Sequence, residues 1–221
     1  MKQLIITIDG PSGAGKTTVS RILADRLGYR YIDTGALYRG VAFAAICSGL
    51  NPDDDDGFLT LFKTLKMTFL AGEKGLRLFL NGSDITDRIR TPEISMAASA
   101  VSAKQVVRDY LLNLQRDLGR EKNVVFEGRD MGTVVFPDAD LKFFLDASIQ
   151  TRAKRRFKEL SSTTPQSLEA VETDMRRRDT NDSTRDLAPL KPAEDAIRID
   201  STDLTIEDVV DKIVSAVNAL S

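Results

Sequence analysis

The chain has 221 residues, 42% of them hydrophobic and 29% charged, which suits one sizeable α/β domain able to bury a core. Its formal net charge of −2 gives no general attraction to nucleic acid or to anionic membranes, so any basic function has to be local. Histidine is absent, which excludes imidazole bases, His-dependent triads and His-containing zinc sites. Cys47 is the only cysteine, so no intrachain disulfide forms and a reducing compartment fits. The opening MKQLIITIDG is too short an apolar run for a signal peptide, and no stretch approaches a membrane span. A cytoplasmic location is the expectation. Phosphoryl transfer needs only lysine, arginine, carboxylates, hydroxyls, backbone amides and a bound ion, all within this composition.

In chain order, Leu4–Ile8 reads as a buried strand and Thr17–Leu27 as a helix with Val19, Ile22, Leu23 and Leu27 on one face. Tyr29–Ile32 is a second strand and Ala36–Ser48 a second helix, the opening of a parallel α/β sheet. The acidic run from Asn51 to Gly57 is expected to be a solvated loop. Met67–Leu70 and Leu76–Leu80 read as strands around Gly72–Gly75, and Asn81-Gly82 is a hairpin turn signal before a third strand near Ile85. Residues 60–92 are thus expected to form an antiparallel β insert, with 1–59 and 93–221 as the core. Beyond it come a helix over Lys104–Leu118 and strands Asn123–Phe126 and Leu141–Leu145. A basic amphipathic helix over 149–160, a polar break at Ser161–Gln166 and a helix over Ser167–Arg178 make a lid of about 149–185. Strand Ala196–Ile199 and an amphipathic helix over Thr205–Leu220, with Thr205 and Asp208 at capping-box spacing, close the chain.

Gly10-Pro11-Ser12-Gly13-Ala14-Gly15-Lys16-Thr17 matches the phosphate-loop pattern and lies between a strand and a helix, the context that pattern requires. Backbone amides and the helix N-terminus suit phosphate there, Lys16 suits the β- and γ-phosphates, the Thr17 hydroxyl suits Mg²⁺, and Thr18 supports the α-phosphate. The glycine spacing is wrong for a dinucleotide-binding turn. This establishes a nucleoside triphosphate donor without naming the acceptor.

Three further clusters bear on the acceptor. Asp33-Thr34-Gly35 ends the second strand, where Asp33 or Thr34 can cap the next helix and Arg39 can reach an anion. Glu127-Gly128-Arg129-Asp130-Met131-Gly132 follows a buried strand and offers a bidentate arginine and a carboxylate. The run from Arg176 to Arg185, with Arg152, Lys154, Arg155 and Arg156, supplies a mobile positive surface suited to a lid over phosphates. RNA is its competing use, but no aromatic residues are interleaved to stack on bases.

Taken together, GPSGAGKT, DTGALYR, EGRDMGTVVFPDA, LKFFLDAS, TRAKRR and the RRRD segment with its following R-D-L-A-P-L resemble bacterial cytidylate kinases, from about Ile5 to Val217. The resemblance implies a P-loop NTPase core of parallel sheet flanked by helices, a small antiparallel β insert in the nucleoside-monophosphate-binding region and a helical lid. It implies ATP as donor with Mg²⁺, CMP or dCMP as acceptor, and a monomer. It further implies that Arg39, Arg129 and Arg185 hold the CMP phosphate, that Arg178 and Asp182 bind the ribose, and that Ser99, Arg108 and Asp130 read cytosine. A carboxylate at Asp130 suits the N4 amine of cytosine and Arg108 suits its acceptors, whereas uracil reverses that polarity. Lys16, Arg129, Arg155 and Arg185 are the expected catalytic residues, with Arg152 and Arg156 as other candidates for the transition-state charge. Thr34, in the acceptor segment, stands where others of the family have serine, and Ser183 and Thr184 where some carry arginine and asparagine. The residues alone leave two rivals: a kinase of a non-nucleotide metabolite, such as a shikimate- or gluconate-type enzyme, and a GTP-dependent switch. The second would want an N-K-x-D guanine reader, which the sequence lacks.

Overall fold

A computed structural model describes residues 3–72, 75–160 and 166–220. The turn expected at residues 73–74 and most of the polar break after residue 160 lie outside them. The chain divides into two compact units, one made of Met1–Tyr31 with Glu121–Ser221 and the other of Ile32–Arg120.

In the first unit, β1 (Ile5–Asp9) runs parallel between β6 (Val124–Gly128) and β7 (Leu141–Asp146), and β7 pairs in parallel with β8 (Ile197–Asp200). With β2 (Arg30–Asp33), which starts in this unit and ends in the second, at the edge, the strand order is β2-β6-β1-β7-β8. The central strands β1 and β6 are buried on both faces, as parallel strands covered by helices must be, while the edge strand β8 is mostly exposed. Ile6, Ile8, Val125 and Phe143 pack with Leu23 of α1 (Lys16–Leu27) and with Val210 and Ile213 of α8 (Ile206–Ala219). The α1 helix ends on Gly28 in the left-handed region, whose N–H caps the Ala24 and Asp25 carbonyls. The capping box expected of Thr205 and Asp208 is formed. A satellite core of Ala153, Val171 and Met175 joins α6 (Ile149–Leu160) to α7 (Leu168–Thr184).

Two features of this unit depart from the sequence reading. The Met131–Val135 segment is a turn of π-helix, closed by Val135 N–H to the Asp130 carbonyl and Phe136 N–H to that of Met131. The α7 helix continues past Arg178 to Thr184, where the Ser183 and Thr184 hydroxyls donate back to the Thr180 carbonyl.

The second unit holds α2 (Thr34–Cys47), α3 (Asp55–Phe62), an antiparallel sheet of β3 (Met67–Gly72), β4 (Gly75–Leu80) and β5 (Ser83–Asp84), α4 (Pro92–Val101) and α5 (Gln105–Gly119). Asn81 and Gly82 both adopt positive φ, which closes the expected tight hairpin. The third strand stops at Asp84, and Ile85 turns into the core.

Helices α3 and α4 were not expected. Residues 51–54 are exposed turn and loop as expected, but the end of the acidic run starts α3: the Asp54 side chain accepts from the Gly57 N–H, and Asp55 and Asp56 sit in the first turn, where the helix dipole favours negative charge. Helix α4 opens with Thr91 as cap, Pro92 in its first turn and Glu93 next to it, a start signal followed by small residues that obscure any amphipathic stripe. Phe58 anchors α3 with no exposed surface. Replacing Phe58 by Ala should lower stability by about 3–5 kcal/mol in urea unfolding, against under about 0.5 kcal/mol for a residue in a solvated loop.

Candidate active site

The first unit carries the phosphate loop. Gly10 and Gly13 are required by close approach: a Cβ on Gly10 would lie 1.9 Å from the Leu145 carbonyl oxygen, and one on Gly13 would lie 2.9 Å from that of Arg152. The loop carbonyls are engaged by cations. Lys16 Nζ donates to the Pro11 carbonyl at 2.6 Å, Arg152 Nη1 to that of Ser12 at 3.2 Å, and Arg155 Nη1 to that of Ala14 at 3.4 Å. Arg155 also donates to the Ser201 carbonyl and hydroxyl, at 2.7 and 3.1 Å, and the Ser201 hydroxyl in turn donates to the Ala14 carbonyl. Arg152 therefore does not belong to an exposed basic surface: it is buried and ion-paired with Asp179 at 2.5 Å. The outward basic side chains of these helices pair locally, Arg156 with Glu159, Arg176 with Glu172 and Arg177 with Asp174.

Lys16 is buried, and burial, followed by the charges of Arg129 and Arg178, lowers its pKa to about 7, while Glu127 and Asp9 oppose the shift. Thr17 Oγ1 donates to Glu127 Oε1 at 2.8 Å, and the Tyr31 hydroxyl donates to Glu127 Oε2 at 2.5 Å. A threonine hydroxyl joined to a carboxylate is the hard oxygen donor set that Mg²⁺ prefers, so the residues present fit that ion.

Next to the loop stands a cluster of arginines and carboxylates. Arg129 Nε donates to Asp182 Oδ2 at 3.1 Å, Arg178 Nε lies 3.9 Å from the same oxygen, and Arg185 Nη2 lies 3.9 Å from Asp130 Oδ1. Arg178 also reaches the Ser12 hydroxyl at 3.5 Å, which ties the cluster to the phosphate loop. Burial pushes the Asp182 carboxyl up, but Arg129, Arg178 and Arg185 together hold it below its ordinary range. The sequence-derived set of Arg129, Asp130, Arg178, Asp182 and Arg185 is thus one assembly, built from the end of β6 and the end of α7.

The other expected residues belong to the second unit. Asp33, not Thr34, caps α2, accepting from the Ala36 N–H, and Thr34 is buried as the first helical residue. Arg39 Nη2 donates to Asp33 Oδ2 at 2.7 Å, while its buried Nε has no hydrogen-bond partner among the described residues. Burial pushes Asp33 up, but Arg39, Arg90 and the Ala36 N–H hold it low. Arg108 lies buried in the first turn of α5, donating to the Ser102 carbonyl at 3.3 Å, with its guanidinium 5.9 Å from the Tyr38 ring centre. Ser99 is buried on α4, and its carbonyl accepts from Ser102.

Sequence reasoning assigned no role to Glu127, Tyr31 or Asp9. Glu127 and Asp9 had one legible signal, a charged residue at the end of a strand whose other residues are apolar. Tyr31 had none.

The chain matches the cytidylate kinase family model over residues 6–219. It is 53% identical over 215 residues to a cytidylate kinase of Geobacter sulfurreducens, covering 97% of this chain and 92% of the relative. It is 49% identical over 209 residues to a cytidylate kinase of Geobacter sp. strain M21, covering 94% and 90%. In fold it resembles an uncharacterized protein from Eubacterium ventriosum, with a TM-score of 0.55 at 15% identity and 99% of each chain covered.

Lys16 yields a prediction. Phosphates placed beside its amine should restore its ordinary pKa, so ATP binding between pH 7 and 8 should take up protons. Calorimetric titrations in buffers of different ionisation enthalpy should show net uptake, and Lys16→Ala should abolish it.

Proposed function

The chain belongs to the cytidylate kinase family, and on that premise we propose how its residues move the γ-phosphate of ATP to CMP, and to dCMP, giving ADP and CDP or dCDP. The observation that carries the reading is the adjacency of the phosphate loop and the arginine–carboxylate cluster, linked by Arg178 to Ser12. One oxygen of the CMP phosphate attacks the γ-phosphorus in line, and the bond from that phosphorus to the β–γ bridging oxygen breaks as ADP leaves. That phosphate is largely ionised near neutral pH, so a strong general base is unnecessary and the absence of histidine is no handicap.

The donor binds on Gly10 to Thr18. Lys16 neutralises charge on the β- and γ-phosphates once its proton is restored. Thr17 and Glu127 would hold Mg²⁺, which when bound neutralises phosphate charge. Arg155, seated on the loop at Ala14, is positioned to share the transition-state charge with Arg129 and Arg185. On the acceptor side the reading gives the CMP phosphate to Arg39, Arg129 and Arg185 and the ribose to Arg178 and Asp182. Thr34 supports the phosphate end, while Ser99, Arg108 and Asp130 read the base. Asp130 is buried, so a uracil O4 facing its carboxylate would leave two acceptors opposed without water to relieve them. The segment of about 149–185 acts as a lid, the β insert of 60–92 supports the acceptor region, a monomer is the expectation carried by family resemblance, and a cytoplasmic location is the expectation from the sequence. Among the described residues, no helix is long and apolar enough to cross a membrane.

ADP release from ATP, scanned over CMP, dCMP, UMP, AMP and shikimate, should be fast only with the cytidine nucleotides. Lys16→Ala should abolish turnover. Asp130→Ala should reduce the preference for CMP over UMP by at least about tenfold, and equal losses on both substrates would contradict base reading by Asp130.

A further inference from the structure

Asp9 is the last residue of β1 and directly precedes Gly10 of the phosphate loop. Its side chain is buried, and its two carboxylate oxygens are both used. Oδ1 accepts from the Met131 N–H at 2.9 Å and Oδ2 from the Gly132 N–H at 2.8 Å. These amides open the π-helical turn that begins one residue after Asp130. A buried carboxylate with two backbone donors fixes both the position and the orientation of the peptides it holds. Space around that turn is tight from the other side as well, since a Cβ on Gly132 would lie 3.1 Å from Thr7 Oγ1 and 3.2 Å from Lys142 Cδ.

We propose that Asp9 is a positioning residue of the acceptor site, clamping the Met131-Gly132 peptides so that Arg129 and Asp130 are held in register with the phosphate loop. The donor side has its own supports. Arg152, Arg155 and Lys16 hold the loop carbonyls, and Gly10 packs against Leu145. None of these contacts involves the Asp9 side chain. Arg129 and Asp130 precede the turn without a side-chain cap of their own at its start. Gly128 before them is held in the β1–β6 ladder and the Asp130 carbonyl accepts from the Val134 and Val135 N–H groups, and the clamp adds the hold on the two peptides that follow. Burial raises the Asp9 pKa to about 6, with the two amides opposing the rise; Asp130 adds to it and Lys16 opposes it. The group is therefore ionised at assay pH and able to accept from both amides.

The inference rests on the assignment of Arg129 and Asp130 to CMP, so its test runs beside Asp130→Ala. In Asp9→Asn one oxygen is replaced by an NH₂ group that faces a backbone N–H, which opens half the clamp. Misplacement by about 1 Å is worth up to about 100-fold. Asp9→Asn should raise KM for CMP by at least about tenfold and reduce CMP-over-UMP selectivity. Because the Asp9 charge also helps Lys16 keep its proton, the ATP comparison is read on Asp9→Glu, where the charge is kept and KM for ATP should stay within about twofold. Asp9→Glu, which displaces the oxygens, should raise KM for CMP in the same way, and carries the test if the asparagine variant does not fold. An unchanged KM for CMP, or equal losses for ATP and CMP in Asp9→Glu, overturns the clamp. If Asp130→Ala alters selectivity while both Asp9 variants leave it intact, only the clamp fails. If Asp130→Ala leaves selectivity unchanged, the base-reading assignment fails instead.

Discussion

The first unit is organised around a buried cation in poor company. Lys16 is buried and stands in the field of Arg129 and Arg178, with the Pro11 carbonyl accepting its proton and the charges of Glu127 and Asp9 acting the other way. The chain tolerates this because carboxylates are interleaved: Asp182 against Arg129 and Arg178, Asp130 near Arg185, Asp179 against Arg152. That arrangement still leaves the Lys16 pKa lowered to about 7. A polyphosphate supplies the missing negative charge, which is why a chain of net charge −2 can still present a strong local anion site.

The same logic explains why the arginines are seated rather than dangling. Arg152 and Arg155 place their guanidinium donors on loop carbonyls, so the loop shape and the position of the charge are set by one group of contacts. In α7 the ionic side chains divide by face. Arg176 and Arg177 find partners one turn along on the solvated side, whereas Arg178 and Asp182 turn toward the loop. A helix that runs on to Thr184 is what places Arg178, Asp182 and Arg185 at intervals that share one side.

The phosphate loop was legible because its glycines, lysine and threonine are dictated by sterics and phosphate chemistry at fixed spacing, and the hairpin at Asn81-Gly82 because a tight turn demands positive φ. Residues at strand ends were legible as a ligand-facing edge, but their pairings were not. Nothing in the sequence says that Glu127 accepts from Thr17 and Tyr31, or that Asp9 reaches amides 122 residues away, since those contacts are created by sheet pairing. Helix α3 was hidden because an acidic run is equally good as a solvated loop and as a helix N-terminus, and the buried Phe58 decides between them only once the fold exists. Helix α4 was hidden by small residues that blur the apolar period.

On the proposed reading, the half-buried arginines Arg129 and Arg185, set among Arg178, Asp182 and Asp130, take the phosphate of the acceptor nucleotide. Equilibrium binding of CMP and of cytidine to the unmodified protein tests it directly, because the two ligands differ only in that group. Charge-assisted bonds to several arginines should make CMP bind at least about 100-fold more tightly, with the advantage shrinking in Arg185→Gln. Cytidine binding as tightly as CMP would contradict the account.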